Sequence, residues 1–172
     1  MREKRSNQHQ ARGAGHALHK ISNLERQEIQ APLITCMLEA FIHEIGYERA
    51  MEVASIAIKR DAMRAGKAMA GEYGGNGLKE LLRVVSEIWA EDNALEFEIV
   101  EESERILSFI VTRCRYAEMY DRIGLKQYGL CLSCNRDKAL IKGFNPHLKL
   151  NRTQTIMQDG VMCNFRISVD KK

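Results

Sequence analysis

The sequence lacks a long apolar segment. No uninterrupted apolar run approaches the roughly 20 residues that a membrane-spanning helix needs, and residues 1–20 lack the apolar core of a secretory signal. We therefore expect a cytoplasmic protein with no membrane association. Thiols stay reduced in the cytoplasm, so the five cysteines are predicted to be free thiols, ligands or nucleophiles rather than disulfide partners.

The body of the chain also lacks an excess of positive charge. The formal net charge of the 172 residues is +3, but residues 1–20 hold five basic residues against one acid, which leaves −1 for the other 152. A nucleic-acid footprint should place basic groups on the folded surface, so this distribution excludes one. We predict a basic, disordered tail over residues 1–23 and a single α+β domain over residues 24–172.

Nucleotide-binding motifs are missing as well. Four glycines between Gly71 and Gly77 predict a loop. Neither GxGxxG nor GxxxxGKS/T occurs there, although a phosphate-binding loop would need one of them. The sequence therefore gives no indication of a nucleotide cofactor.

The sequence does contain two clear periodicities. Apolar residues recur at helical spacing in the first half, beginning with one stripe formed by Leu33, Met37, Leu38, Phe41, Ile42 and Ile45. From Leu95 onward two pairs of β-prone segments follow, 95–100 with 106–113 and 147–157 with 161–169. Helices are predicted between the pairs, over 115–123 and 129–142. This order predicts an α+β fold in which N-terminal helices pack on an antiparallel sheet built from two β-hairpins.

The second hairpin mixes reactive and apolar side chains most densely. Asp159-Gly160 is typical of a two-residue hairpin loop, and such a loop would pair Ile156 with Cys163. One sheet face would then hold Cys163, Gln154 and Arg152 among apolar residues, and the other Thr153, Asn164 and Arg166. Buried guanidinium and amide groups need partners or a ligand, so this apolar wall predicts a small-molecule site. The alternative is a register slipped by one residue, which would leave both arginines in solvent.

The helix before this hairpin contributes a second group of reactive side chains. Cys134 and Asp137 lie three residues apart, on a largely apolar side of that helix. A nearby cation such as Arg152 would lower the pKa of a cysteine thiol and favour the reactive thiolate. Cys131-x-x-Cys134 also leaves open a zinc site or a redox dithiol, but no second cysteine pair is present.

Four segments of this half resemble the 2-aminothiazoline-4-carboxylate hydrolase family: Cys134-x-x-Asp137, Gly143-Phe144-Asn145-Pro146, Arg152-Thr153-Gln154-Thr155-Ile156-Met157 and Cys163-Asn164-Phe165-Arg166. The resemblance runs from about Asn93 to Ile167 and takes in the helical half only weakly. This chain has Asp159-Gly160 where the family's turn typically reads Gly-Asp. It has Asn164 where the family typically has Asp.

The resemblance implies a cofactor-independent hydrolase that opens a small cyclic amidine to an N-carbamoylcysteine-type product. On this basis Cys163 or Cys134 attacks the ring carbon or steers a water that does, and Asp137 binds the amidinium or moves protons. Arg152 or Arg166 would hold the substrate carboxylate, with Gln154, Thr153 and Asn164 as further binding residues. No metal ligand is assigned.

Two other functions remain as alternatives. The first is a non-enzymatic domain that binds a small ligand or a metal ion through its cysteines. The second is an interaction protein whose basic tail docks onto a partner. The sequence leaves open whether the chain forms a homo-oligomer.

Overall fold

The computed structural model describes residues 21–170. The predicted basic tail lies outside the described residues, apart from its last three positions. Within residues 21–170 no helix combines the length and the apolar character that crossing a bilayer requires.

The helices have well-defined ends. They are α1 Asn23–Ile45, α2 Tyr47–Glu72, α3 Leu78–Val84, α4 Arg115–Arg122, α5 Lys126–Gly129 and α6 Asn135–Phe144. At the start of α1 the Ser22 side chain accepts from the Glu25 N–H, and the Glu25 carboxylate accepts from the Ser22 N–H, a capping box. Gly46, with φ of +81°, ends α1 and separates it from α2. Residues with a side chain rarely adopt this φ, so a glycine suits the break between the two helices.

Two of the helices continue into π-helical turns. Val85–Trp89 follows α3, and Leu130–Cys134 joins α5 to α6. The wider turn changes the direction in which the following side chains project, and such turns are frequent at functional sites. Trp89 and Cys134 are the last residues of the two turns, and both line the cavity described below.

The strands form one four-stranded antiparallel sheet in the order β1-β2-β4-β3. Their bounds are β1 Leu95–Glu102, β2 Ile106–Cys114, β3 Leu148–Asn151 and β4 Cys163–Val169. Alternate residues of β2 and β4 are buried, among them Phe109 and Phe165, whose rings stack with centroids 4.6 Å apart. Helices pack against this buried face. The predicted α+β fold is thereby confirmed.

The predicted register of the second hairpin is wrong. β3 ends at Asn151, and Leu150 pairs with Ile167, a shift of two residues from the predicted pairing of Arg152 with Ile167. The segment after β3 leaves the sheet, and Ile156–Gln158 forms a 3-10 turn. Thr155 and Met157 are buried there. A longer connection that contains this buried turn therefore joins β3 to β4, in place of the predicted two-residue loop at Asp159-Gly160. Because side chains alternate between the two faces of a sheet, a shift of two residues leaves each one on the predicted face. Arg152 therefore still lies on the buried side.

Four of the six residues of the predicted apolar stripe of α1 do not face the body of the protein. Leu33, Met37, Phe41 and Ile45 are 49–68% exposed. The buried side of α1 is formed by Leu24, Ala31, Thr35 and Leu38, of which Leu38 alone belongs to that stripe. The helical period was read correctly, but the sequence did not show which side of the helix the remaining elements cover.

Helices α2 and α6 pack together through two glycines. A Cβ atom on Gly66 would lie 2.0 Å from the backbone oxygen of Leu140, and one on Gly143 would lie 2.1 Å from that of Met63. Any side chain at these positions would therefore force the helices apart. Because α6 carries Asp137, this close approach fixes the position of a candidate site residue.

Candidate functional site

A cavity of about 350 Å³ lies between α1, α2, α6 and the buried face of the sheet. Apolar side chains such as Trp89, Phe165 and Leu132 form much of its wall. Its polar and sulfur-containing lining residues include Asn23, Arg26, Gln27, Gln30, Asp61, Cys114, Ser133, Cys134, Arg136, Asp137, Arg152 and Cys163. An apolar cavity with a few convergent polar groups is the usual form of a small-molecule site.

A buried ion pair forms the polar centre of this wall. The Arg152 guanidinium donates to the Asp137 carboxylate at 2.5 Å and to the backbone oxygen of Cys134 at 2.9 Å. The two side chains are only 11% and 22% exposed. The guanidinium also lies 5.1 Å from the centroid of the Phe165 ring, a cation–π contact. These contacts hold Arg152 in one orientation while leaving some of its N–H groups for a ligand.

The environment of Asp137 tunes its acidity. Burial raises the pKa of this carboxyl from 3.8 to about 6, although the charge and the hydrogen bond of Arg152 lower it. A carboxyl group with a pKa near 6 is ionised at neutral pH and exchanges protons readily there. Raised pKa values of this kind are common for acid–base groups in active sites.

The cysteines around the cavity are not activated by Arg152 in the way the sequence suggested. Burial raises the pKa of the Cys114 thiol to about 11 and also raises the pKa of Cys134 and of Cys163. For Cys134 and Cys163 the Arg152 charge opposes this rise but does not cancel it. All three groups are therefore thiols at neutral pH, and the expectation of a lowered thiol pKa is wrong.

Of the two predicted nucleophiles, Cys163 has the surroundings that oppose the effect of burial on the thiol pKa more. Its sulfur accepts a hydrogen bond of 3.2 Å from the Ile156 backbone N–H. That bond and the Arg152 charge both lower the pKa of Cys163 against the effect of burial. Cys134 lies next to the Asp137 charge, which adds to the effect of burial and raises its pKa further.

Four predicted binding residues serve the loop or the outer surface instead of the cavity wall. The Asn164 side-chain oxygen accepts from the backbone N–H groups of Thr153 and Gln154, and its amide donates to the Thr153 hydroxyl at 2.7 Å. These bonds hold the chain where it leaves β3. Arg166 lies on the exposed sheet face and pairs with Glu101 at 2.8 Å. Residue 164 is thus a loop-bonding position in this fold and lies outside the lining of the cavity.

Sequence reasoning missed several residues of the cavity. Arg136 pairs with Asp61 of α2 at 2.8 Å, a second and more exposed ion pair of the lining. The side-chain oxygen of Gln27 is buried and has no hydrogen-bond partner among the described residues. Cys114 ends β2 directly before α4, and its position at this strand–helix junction was the only signal that could have identified it.

The structure gives no support to a metal centre in residues 21–170. No group of three or more His, Cys, Asp or Glu side chains is arranged there to hold a metal ion. Cys131 and Cys134 lie within the π-helical turn and are both free thiols.

A family model described as L-2-amino-thiazoline-4-carboxylic acid hydrolase matches residues 26–167. No curated protein sequence gives a significant match.

Among the solved structures that share the fold are two with very low sequence identity to this chain. The phenol-responsive sensory domain of the transcription activator PoxR, solved with phenol, is 7% identical, with a TM-score of 0.51. The match covers 80% of this chain and 73% of that one. Subunit 3 of the trafficking protein particle complex from Naegleria fowleri, covalently bound to palmitic acid, is 12% identical, with a TM-score of 0.52. That match covers 87% of this chain and 96% of the subunit.

Proposed function

Because the chain belongs to the L-2-amino-thiazoline-4-carboxylic acid hydrolase family, we propose that it hydrolyses a small cyclic amidine bearing a carboxylate, of the 2-aminothiazoline-4-carboxylate type. The observation that carries the proposal is the buried Asp137–Arg152 pair in the wall of the cavity. Such a substrate carries one positive and one negative group. A fixed carboxylate and guanidinium match these two charges without leaving a buried charge unpaired.

The proposed reaction adds one water to the ring. The water oxygen bonds to the carbon between nitrogen and sulfur, and the carbon–sulfur bond breaks. The ring nitrogen of the charged amidine already holds its proton, so one water proton ends on the leaving sulfur and the other is released to solvent, which gives an N-carbamoylcysteine-type product with a free thiol. The reaction requires a base for the water, a proton for the sulfur and charged groups that orient the substrate.

Each requirement has a candidate among the residues of the cavity. Asp137, ionised at neutral pH, accepts a proton from the attacking water and returns it to the leaving sulfur. Arg152 binds the substrate carboxylate through the N–H groups that Asp137 and Cys134 leave free. The buried Gln27 oxygen accepts an N–H of the amidine. Because burial raises the pKa of Cys134 and Cys163, water is favoured over a cysteine as the nucleophile.

The test is incubation of the protein with 2-aminothiazoline-4-carboxylate, followed by mass spectrometry of the product and titration of new free thiol. Asp137→Asn should reduce kcat by about 100-fold or more, in the range for loss of a general base. Glu87→Gln, which removes a carboxylate from an exposed ion pair with Arg83, is the matched control and should retain the rate. Absence of turnover in the unsubstituted protein would refute the proposal.

A second candidate function is binding of an organic ligand without turnover. It is favoured by the largely apolar lining of the cavity, and by the phenol and the palmitic acid named for the two structures that share the fold. Calorimetric titration with phenol and with palmitate tests it. Micromolar binding of either ligand that Trp89→Ala weakens, together with no hydrolysis of the thiazoline, would favour this function.

A further inference from the structure

The outer surface of α1 and α2 is unusually apolar for an exposed surface. Fifteen large apolar side chains of residues 21–170 are exposed, and ten of them belong to these two helices, at exposures between 40% and 68%. Residues 29–38 of α1 contain no charged side chain at all. Exposed apolar patches of this extent usually mark an interaction site.

The sequence of α1 shows a symmetric pattern on this surface. Arg26, Ile29, Leu33, Met37, Phe41 and Glu44 are all exposed. Their spacings are three, four, four, four and three residues, which places them on one side of the helix. The order of these spacings is the same from either end of the helix. The first residue of the series, Arg26, is basic and the last, Glu44, is acidic.

We propose that this side of α1 binds the same side of α1 in a second copy of the chain, with the two helices antiparallel. Around a twofold axis level with residue 35, Ile29 lies against Phe41 of the other copy and Leu33 against its Met37. Arg26 then meets Glu44, so both ends of the contact are oppositely charged. A parallel arrangement would place the two Glu44 carboxylates side by side.

The exposed apolar area bears on the size of such a dimer. If a large side chain has roughly 150 Å² of surface, the four apolar side chains on this side of α1, exposed by 49–68%, present on the order of 350 Å² per copy, and all ten of α1 and α2 together present about 750 Å². Each partner of a standard stable interface buries about 800 Å², so a contact of standard size includes exposed apolar side chains of α2 beside the α1 seam. Residues 1–20 of the same chain contain only two large apolar side chains, Met1 and Leu18. They do not supply enough apolar surface for ten exposed side chains.

The first test compares the dissociation constants of two charge-introducing variants by analytical ultracentrifugation. Met37→Glu should weaken the dimer by at least about 100-fold, because the symmetry places both new carboxylates in one interface. Val100→Glu is the matched control: Val100 is 61% exposed on the edge strand β1, and this variant should leave the dimer unchanged. A dimer that survives Met37→Glu but is lost in Val100→Glu would overturn the proposal in favour of edge-strand pairing.

The second test examines the antiparallel arrangement and introduces no charge. In a Cys36→Ser background, a mixture of Ile29→Cys and Phe41→Cys subunits should form a disulfide dimer on mild oxidation. Ile29→Cys alone should not, since the two copies of residue 29 would lie about 18 Å apart along the helices. Crosslinking of each variant alone, a protein that remains monomeric, or a monomer that binds phosphatidylcholine vesicles through this surface would each overturn the proposal.

Discussion

Replacement of Arg152 by methionine gives the sharpest test of how the site is built. The substitution keeps an apolar stem but leaves Asp137 without its counter-charge in a buried place. Removing one partner of a buried ion pair typically costs about 3–5 kcal/mol. Of this, the lost hydrogen bond to the Cys134 carbonyl accounts for about 1 kcal/mol and the contact with the Phe165 ring for about 0.5–1 kcal/mol.

The remaining part of the cost depends on pH. Arg152 lowers the pKa of Asp137, so its loss raises this pKa further above the value in the unfolded chain. The folded state then holds the proton more tightly, and stability falls as the pH rises from the unfolded pKa to the folded one. Below pH about 6 the folded carboxyl is protonated with or without Arg152, so the unsubstituted protein and the variant respond to pH alike and this part of the cost disappears.

We therefore expect Arg152→Met to lose about 4 kcal/mol of unfolding free energy at pH 8 but only about 1–2 kcal/mol at pH 4.5. Urea unfolding followed by circular dichroism at both pH values measures the difference. Arg83→Met, which breaks an exposed pair with Glu87, should cost less than about 1 kcal/mol. An equal loss for Arg152→Met at both pH values would refute the assignment of this cost to an uncompensated Asp137 charge.

Three further predictions follow from the same structure. If Asp137 is the base, kcat/KM should rise with pH through about 6 and level off above it, since the ionised form accepts the proton; a flat profile from pH 5 to 8 would exclude this role. Gly66→Ala should destabilise the protein by about 1–3 kcal/mol because its Cβ meets the α6 backbone, whereas Gly71→Ala in the same helix has free space and should be neutral or slightly stabilising. Iodoacetamide at pH 7 should modify the exposed Cys36 well before the buried Cys163; equal rates would show that Cys163 is open to solvent or activated.

Much of this fold could be predicted from the sequence because the relevant signals are local. Alternation of apolar and polar residues gave β1 and β2 within about two residues, and helical periodicity gave α1 and the helix that carries Cys134 and Asp137. The three-residue spacing of that pair placed both side chains on the cavity wall. The four short segments between Cys134 and Arg166, taken together, were sufficient to identify the family.

The register of β3 and the surroundings of the site depend on contacts between distant segments. Thr155 and Met157 leave the sheet because other elements bury them, and no local pattern encodes that burial. Which side of α1 faces outward was decided in the same way.

The acidity of the site residues was also settled only by tertiary structure. The sequence shows that residue 152 is a charged arginine, and from this charge a lowered pKa was expected for the nearby cysteine thiols. The folded chain instead removes water from around Cys134 and Cys163, and this desolvation exceeds the effect of the cation. The sequence by itself determined which reactive groups this protein has and which of them are close along a helix or strand. Only the tertiary structure decided how deeply they are buried, and burial sets their protonation because it changes the dielectric surroundings of a charge.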